Sequence, residues 1–135
     1  MSQPLDLTEI PEGLRSAYNG SGSDIGANLF VTGKYSAAVL PTAITNPVIG
    51  VTRNAGIVAG KYGSIATRGL VLVKVGSGGV TAGQRVGPDT STGRAITVAP
   101  GAGANASVAG VAQTTQSEDE YTLVELGVGS MMQGA

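Results

Sequence analysis

The sequence has no histidine, no cysteine and no tryptophan, and its only phenylalanine is Phe30. Each absence removes a class of function. Without His, the commonest general base, the Ser-His nucleophile pair and most zinc sites are excluded. Without Cys there is no disulfide framework, no thiolate metal site and no thiol nucleophile, and the redox compartment is left open. Charge is also sparse, with 8 Lys and Arg against 9 Asp and Glu for a net charge of -1. Gripping nucleic acid takes a concentrated basic face, because each neutralised phosphate carries part of the affinity. Here Arg53, Lys61, Arg68, Lys74, Arg85 and Arg94 are spread singly among apolar residues. That scatter reads as outward positions of strands and turns. No apolar run approaches the roughly 18 residues of a membrane-spanning helix. Met1, Ser2 and Gln3 lead straight into Pro4 and Asp6, with neither a basic nor an apolar signal region. The expectation is a soluble chain made in a cytoplasm, with neither nucleic acid nor membrane as its partner.

What the chain does have is small apolar residues and turn formers. Its 135 residues are 41% hydrophobic, mostly Ala and Val, and include 22 Gly and 6 Pro. That length suits one compact domain. A core of such small side chains buries little area per residue, which favours thin layers of sheet over bulky helix packing. Gly and Pro interrupt helices and supply turns.

Two regions differ in texture. Residues 1–28 form an N-terminal arm, in which Leu5, Leu7, Ile10, Leu14 and Tyr18 are spaced among polar residues and a Gly/Ser cluster follows at 19–24. Leu14 and Tyr18 stand one helical turn apart, and the spacing predicts a short helix over 9–18. Burying Leu5, Leu7, Ile10 and Leu14 yields ~1.5–3 kcal/mol each. Fixing about 18 residues of backbone costs roughly 1–2 kcal/mol apiece. The arm therefore either docks on its own domain with many backbone hydrogen bonds or orders on a partner, and the second is the expectation. The five apolar residues are the candidate anchors on that partner or on a neighbouring protomer.

Residues 29–135 read as a β domain. Strands are predicted over 29–32, 35–40, 48–52, 62–66, 70–75, 84–86, 94–98, 108–112 and 121–126, separated by Gly- and Pro-rich turns. Short, regular strands of this kind predict an all-β fold, a compact β-sandwich or small β-barrel with an extended N-terminal arm. In the last strand Tyr121, Leu123 and Glu125 face one way while Thr122, Val124 and Leu126 face the other. Leu70-Val71-Leu72-Val73 does not alternate in polarity, which predicts a strand covered on both faces at the centre of the core. There is also a faint internal repeat. Val48-Ile49-Gly50-Val51 returns as Val108-Ala109-Gly110-Val111, each followed after a similar gap by a Tyr (Tyr62, Tyr121). The glycines would sit where backbone bends or approaches closely.

The catalytic inventory is thin. Of the nine acids three sit together, Glu118-Asp119-Glu120, in a polar stretch that reads as a solvated turn. The Asp-x-Asp-x-Asp-Gly spacing of a calcium loop is absent. Gly76-Ser77-Gly78-Gly79 follows a strand as a phosphate loop would, but a further turn and strand come next instead of a helix carrying Lys-Ser/Thr. A hairpin turn is the expectation there. No catalytic residue, cofactor or metal site is predicted, and the chain is read as a structural protein, not an enzyme.

One resemblance bears on function. The stretch 46–127 carries Val48-Ile49-Gly50-Val51, then Ala59-Gly60-Lys61-Tyr62-Gly63-Ser64-Ile65-Ala66, then Gly79-Val80-Thr81-Ala82-Gly83-Gln84-Arg85-Val86. Gly93-Arg94-Ala95, Val108-Ala109-Gly110-Val111-Ala112 and Tyr121-Thr122-Leu123-Val124-Glu125-Leu126-Gly127 complete the series. In order and spacing this resembles the head decoration, or capsid cement, proteins of tailed bacteriophages. The resemblance implies a β domain that assembles as a homotrimer and binds the major capsid protein on the outer surface of the virion, at local three-fold axes. It implies no catalytic residues. A carbohydrate- or host-surface-binding β module on the virion is the alternative.

Overall fold

The structure, a computed structural model, describes residues 13–99 and 105–133. Among these there is no helix. The strands are β1 (Leu14–Tyr18), β2 (Phe30–Lys34), β3 (Ala37–Val39), β4 (Val48–Thr52), β5 (Tyr62–Ala66), β6 (Arg68–Lys74), β7 (Arg85–Pro88), β8 (Ala95–Thr97), β9 (Asn105–Ala112) and β10 (Tyr121–Gln133). They form two five-stranded antiparallel sheets packed together, in the orders β1-β5-β4-β2-β3 and β6-β10-β9-β7-β8. The chain is all-β, as expected of a sandwich.

The second sheet repeats the first, five strands later. The correspondence extends to single hydrogen bonds. A parallel bridge joins Asn19 to Ala38 in one unit and Val75 to Ala95 in the other, curling each sheet until its edge strands meet. An antiparallel bridge joins Ile25 to Ile57 and, equivalently, Val80 to Gln116. Asn19 N–H donates to Lys61 O (2.9 Å) as Val75 N–H donates to Glu120 O (2.8 Å). Thr52 N–H donates to Leu29 O (2.9 Å) as Ala112 N–H donates to Gln84 O (3.0 Å). The short sequence repeat is thus the visible part of a duplicated unit that spans the described chain.

The repeated glycines have a shared cause. A Cβ on Gly50 would stand 2.6 Å from the Ala66 carbonyl oxygen, and one on Gly110 would overlap that of Glu125. Both units bring the neighbouring strand too close for any side chain.

Two clusters of buried residues hold the fold. Between the sheets, Phe30, Val48, Val51 and Ala66 meet Val73, Val75, Val86 and Val124. Inside the curl of the first sheet, Ala17, Ile25, Val31, Ala38, Ile57 and Ile65 form the other. The small residues let the curled sheets close without voids.

Three expectations are corrected. Residues 14–18, predicted as the end of a helix, form β1. Its register pairs Leu14 with Ala66 and Tyr18 with Tyr62, and this ladder outweighs the helical spacing. The described part of the arm is therefore built into the first sheet. Next, Leu70 to Val73 is not the centre of the core. β6 is an edge strand, Val73 is fully buried, and Leu70 and Leu72 are 60% and 47% exposed. Last, the loop 76–79 is a turn, with Gly79 N–H donating to Gly76 O (3.2 Å), but it closes no hairpin, because β6 and β7 are not neighbours.

Candidate interaction surface

The exposed leucines of β6 lie on one strip with residues of β10. The register sets Leu70 opposite Glu125, Leu72 opposite Leu123 and Lys74 opposite Tyr121. The alternation predicted for β10 is borne out: Tyr121, Leu123 and Glu125 are exposed, and Thr122, Val124 and Leu126 are buried. Tyr121 is 47% and Leu123 37% exposed, so four large apolar side chains share one face. Arg68 and Lys74 on β6 and Glu125 on β10 frame it.

The first unit supplies an internal comparison. By register, Leu14, Ser16, Ser64 and Tyr62 occupy the positions of Leu70, Leu72, Leu123 and Tyr121. Ser16 and Ser64 are exposed. The same backbone is thus built with serine at these outward positions in one unit and leucine in the other. The fold does not require leucine there, and exposed clusters of large apolar residues are the feature by which interaction sites differ from the rest of a monomer's surface.

Beside the strip a groove of about 410 Å³ runs between the edge of β6 and the first sheet. Gly13, Leu14, Arg53, Arg68, Leu70 and Leu72 are among the residues that line it, as is Leu123 of the strip. Of the candidate anchors, Leu5, Leu7 and Ile10 lie outside the described residues. Leu14 is half-buried against the core between the sheets and lines this groove. Tyr18 is at the other end of β1, its ring centroid 5.1 Å from that of Tyr62. The structure therefore brings Leu14, but not Tyr18, to the exposed leucines.

Sequence reasoning missed Leu70 and Leu72 as surface residues because an apolar run reads as burial. The available signal was in the partner strand. Tyr121, Leu123 and Glu125 share a face, and the charged Glu125 turns that face toward water.

Asp119 holds a left-handed backbone (φ 72°) in the turn of the acidic cluster, at the position of Gly60 (φ 74°) in the first unit. Its carboxylate pairs with Arg94 at 2.6 Å, and Glu120 Oε1 accepts from Ser117 N–H at 2.7 Å. No group of three or more His, Cys, Asp or Glu among the described residues could hold a metal ion. Elsewhere Tyr62 is the most exposed ring, at 71%, beside Val58 and Lys61. No protein-family model matches the chain, and a search of curated proteins finds no significant match to it.

Proposed function

We propose that the chain is a structural capsid decoration protein, without catalytic activity, that binds the outer surface of a major capsid protein lattice and stabilises the head. It binds as a homotrimer at local three-fold axes, and its place is the outside of the virion. One observation carries the protein-binding part of this reading: leucines stand at Leu72 and Leu123 where the equivalent, equally exposed positions of the first unit are serines. The capsid part rests on the resemblance of residues 46–127. The energetics suit that role. Covering the exposed halves of Leu70, Leu72, Leu123 and Tyr121 is worth about 1 kcal/mol each, which is weak for one protomer. Three copies on one three-fold site multiply that through avidity.

The test is sedimentation of the purified chain with expanded, undecorated shells of the major capsid protein encoded in the same genome. The reading expects a trimeric solution mass and saturable co-pelleting. A monomer that stays in the supernatant would overturn it. The exposed Tyr62 ring favours the carbohydrate-binding alternative, which glycan binding lost on Tyr62→Ala, together with absent co-pelleting, would support.

A further inference from the structure

A second groove, of about 450 Å³, lies in the first unit, with Arg53, Asn54, Ile57, Lys61, Tyr62 and Ser64 among its lining residues. None of Leu70, Leu72, Leu123 and Tyr121 lines it. Backbone bonds fix its shape. Gly56 N–H donates to Arg53 O (2.8 Å) and Lys61 N–H to Val58 O (3.0 Å), so a hydrogen-bonded turn stands on each side of Ile57. Ile57 itself is buried and bonded to Ile25 in both directions, at 2.9 Å each. On β5, Gly63 lets this segment lie close, because a Cβ there would stand 2.8 Å from Ile57 Cγ1. The groove is therefore preformed, which spares a ligand the cost of ordering it.

What it offers is an open ring beside two cations. Tyr62 is 71% exposed and is braced by Tyr18, whose ring is tilted by 59° against it. Arg53 and Lys61 are exposed, no Asp or Glu lines the groove, and among the described residues neither cationic side chain is paired. Asn54 and Ser64 add exposed hydrogen-bonding groups. The second unit shows that the fold does not dictate this chemistry. Glu120 N–H donates to Ser117 O (3.1 Å) as Lys61 N–H does to Val58 O, so the same turn carries an acid in one unit and a base in the other. Gln113 follows Ala112 where Arg53 follows the equivalent Thr52, and Leu123 stands at the position of Ser64.

We propose that this groove binds an acidic sugar, a uronic-acid unit of a polysaccharide. The apolar face of the pyranose lies on the Tyr62 ring, its carboxylate meets Arg53 and Lys61, and its hydroxyls meet Asn54 and Ser64. Tyr presents a flat apolar body with a wet polar tip, which suits a ring that is apolar on one face and hydroxylated at its rim. Hydrogen bonds from Arg and Lys to a carboxylate are about twice as strong as neutral ones. Nucleic acid would need more cations than these two. An acidic peptide would satisfy the cations but brings no flat hydroxylated ring to Tyr62, Asn54 and Ser64. The inference gives the carbohydrate alternative a site and a ligand class, and it does not depend on the capsid reading.

The test titrates the full chain with the trisaccharide of galacturonic acid and follows the backbone amides by NMR. Neutral galactose trisaccharide, a glutamate tripeptide and inorganic phosphate are run beside it. The acidic sugar is expected to give saturable shifts centred on residues 53–64, and the neutral sugar to bind at least about tenfold more weakly. Lys61→Glu, which gives the turn the charge it has in the second unit, should weaken the acidic sugar by at least about tenfold. Tyr62→Ala should abolish its binding. Both residues are exposed, so the variants should keep the wild-type urea midpoint within error. An absence of saturable shifts, or unchanged binding by either variant, would overturn the proposal. So would equal binding of the neutral sugar, the glutamate peptide or phosphate, the last two marking a site for any anion. Sedimentation of the Lys61→Glu chain with shells reads the capsid question separately.

Discussion

Replacing Asn19 by valine, the residue its counterpart Val75 already is, tests how the first unit is held. Asn19 is fully buried. Its Nδ2 donates to Ser23 O (2.7 Å) and Ile57 O (2.8 Å), and its Oδ1 accepts from Ser21 N–H (2.9 Å) and Ser21 Oγ (2.7 Å). Each such bond contributes a net ~0.5–1.5 kcal/mol. Valine loses all four, but neither carbonyl is orphaned. Ile57 O keeps the Ile25 N–H (2.9 Å) and Ser23 O keeps the Ser21 hydroxyl (2.9 Å). The apolar side chain returns ~1–2 kcal/mol through burial. Taking the middle of both ranges, Asn19→Val should therefore cost about 2–3 kcal/mol, read as a lower urea midpoint at unchanged slope. Asn19→Asp should cost more, about 3–5 kcal/mol, because it buries a charge against two carbonyl oxygens. A valine variant as stable as the wild type would refute the reasoning, since the loop 20–24 would then hold without this side chain.

Two further outcomes follow from backbone approach and surface charge. Gly110→Ala should destabilise by at least about 2 kcal/mol and Gly50→Ala by somewhat less, since the new methyl clashes with a neighbouring backbone carbonyl in both, more deeply in the first. Gly127→Ala, with nothing within 4 Å of its Cβ, should stay within about 0.5 kcal/mol in the same urea titration. Arg94→Ala breaks a pair in which Arg94 is partly covered and Asp119 is exposed. It should cost about 0.2–1 kcal/mol, and less as salt is raised.

Some of this fold was legible in the residues and some was not, for physical reasons. β4, a Val- and Ile-rich run, and β5, which opens on Tyr62 and carries Ile65, lie between turn residues, with both bounds as predicted. The duplication showed at Val48, Gly50 and Val51 against Val108, Gly110 and Val111, and at Tyr62 against Tyr121; at the glycines a close approach admits one residue type. Outside these positions much of the correspondence lies in backbone bonds rather than side chains. Asn19 and Val75 make the same main-chain contacts with opposite chemistry, and no comparison of residue types would align them. Asn28 (φ 61°) and Gly83 (φ 86°) are another such pair, both left-handed, where either residue type tolerates the conformation. β1 was hidden because its pairing with β5 is a tertiary fact, whereas the spacing of Leu14 and Tyr18 is local. The exposed apolar strip was concealed for a different reason. Val71 and Val73 face in, Leu70 and Leu72 face out, and an apolar outward face reads like burial unless the partner strand is taken with it.

The central claim is that the leucine face of the second unit is the working surface. The most direct measurement gives that face the chemistry of the first unit and returns the protein to the shells. In the Leu72→Ser, Leu123→Ser variant, about half of each leucine's burial, ~1 kcal/mol apiece, is realised only in the complex. The lone chain should remain folded by its urea transition, while binding to expanded shells weakens by about 30-fold per protomer, and by more for a trimer engaged at all three contacts. Wild-type binding by a correctly folded double variant would contradict the account.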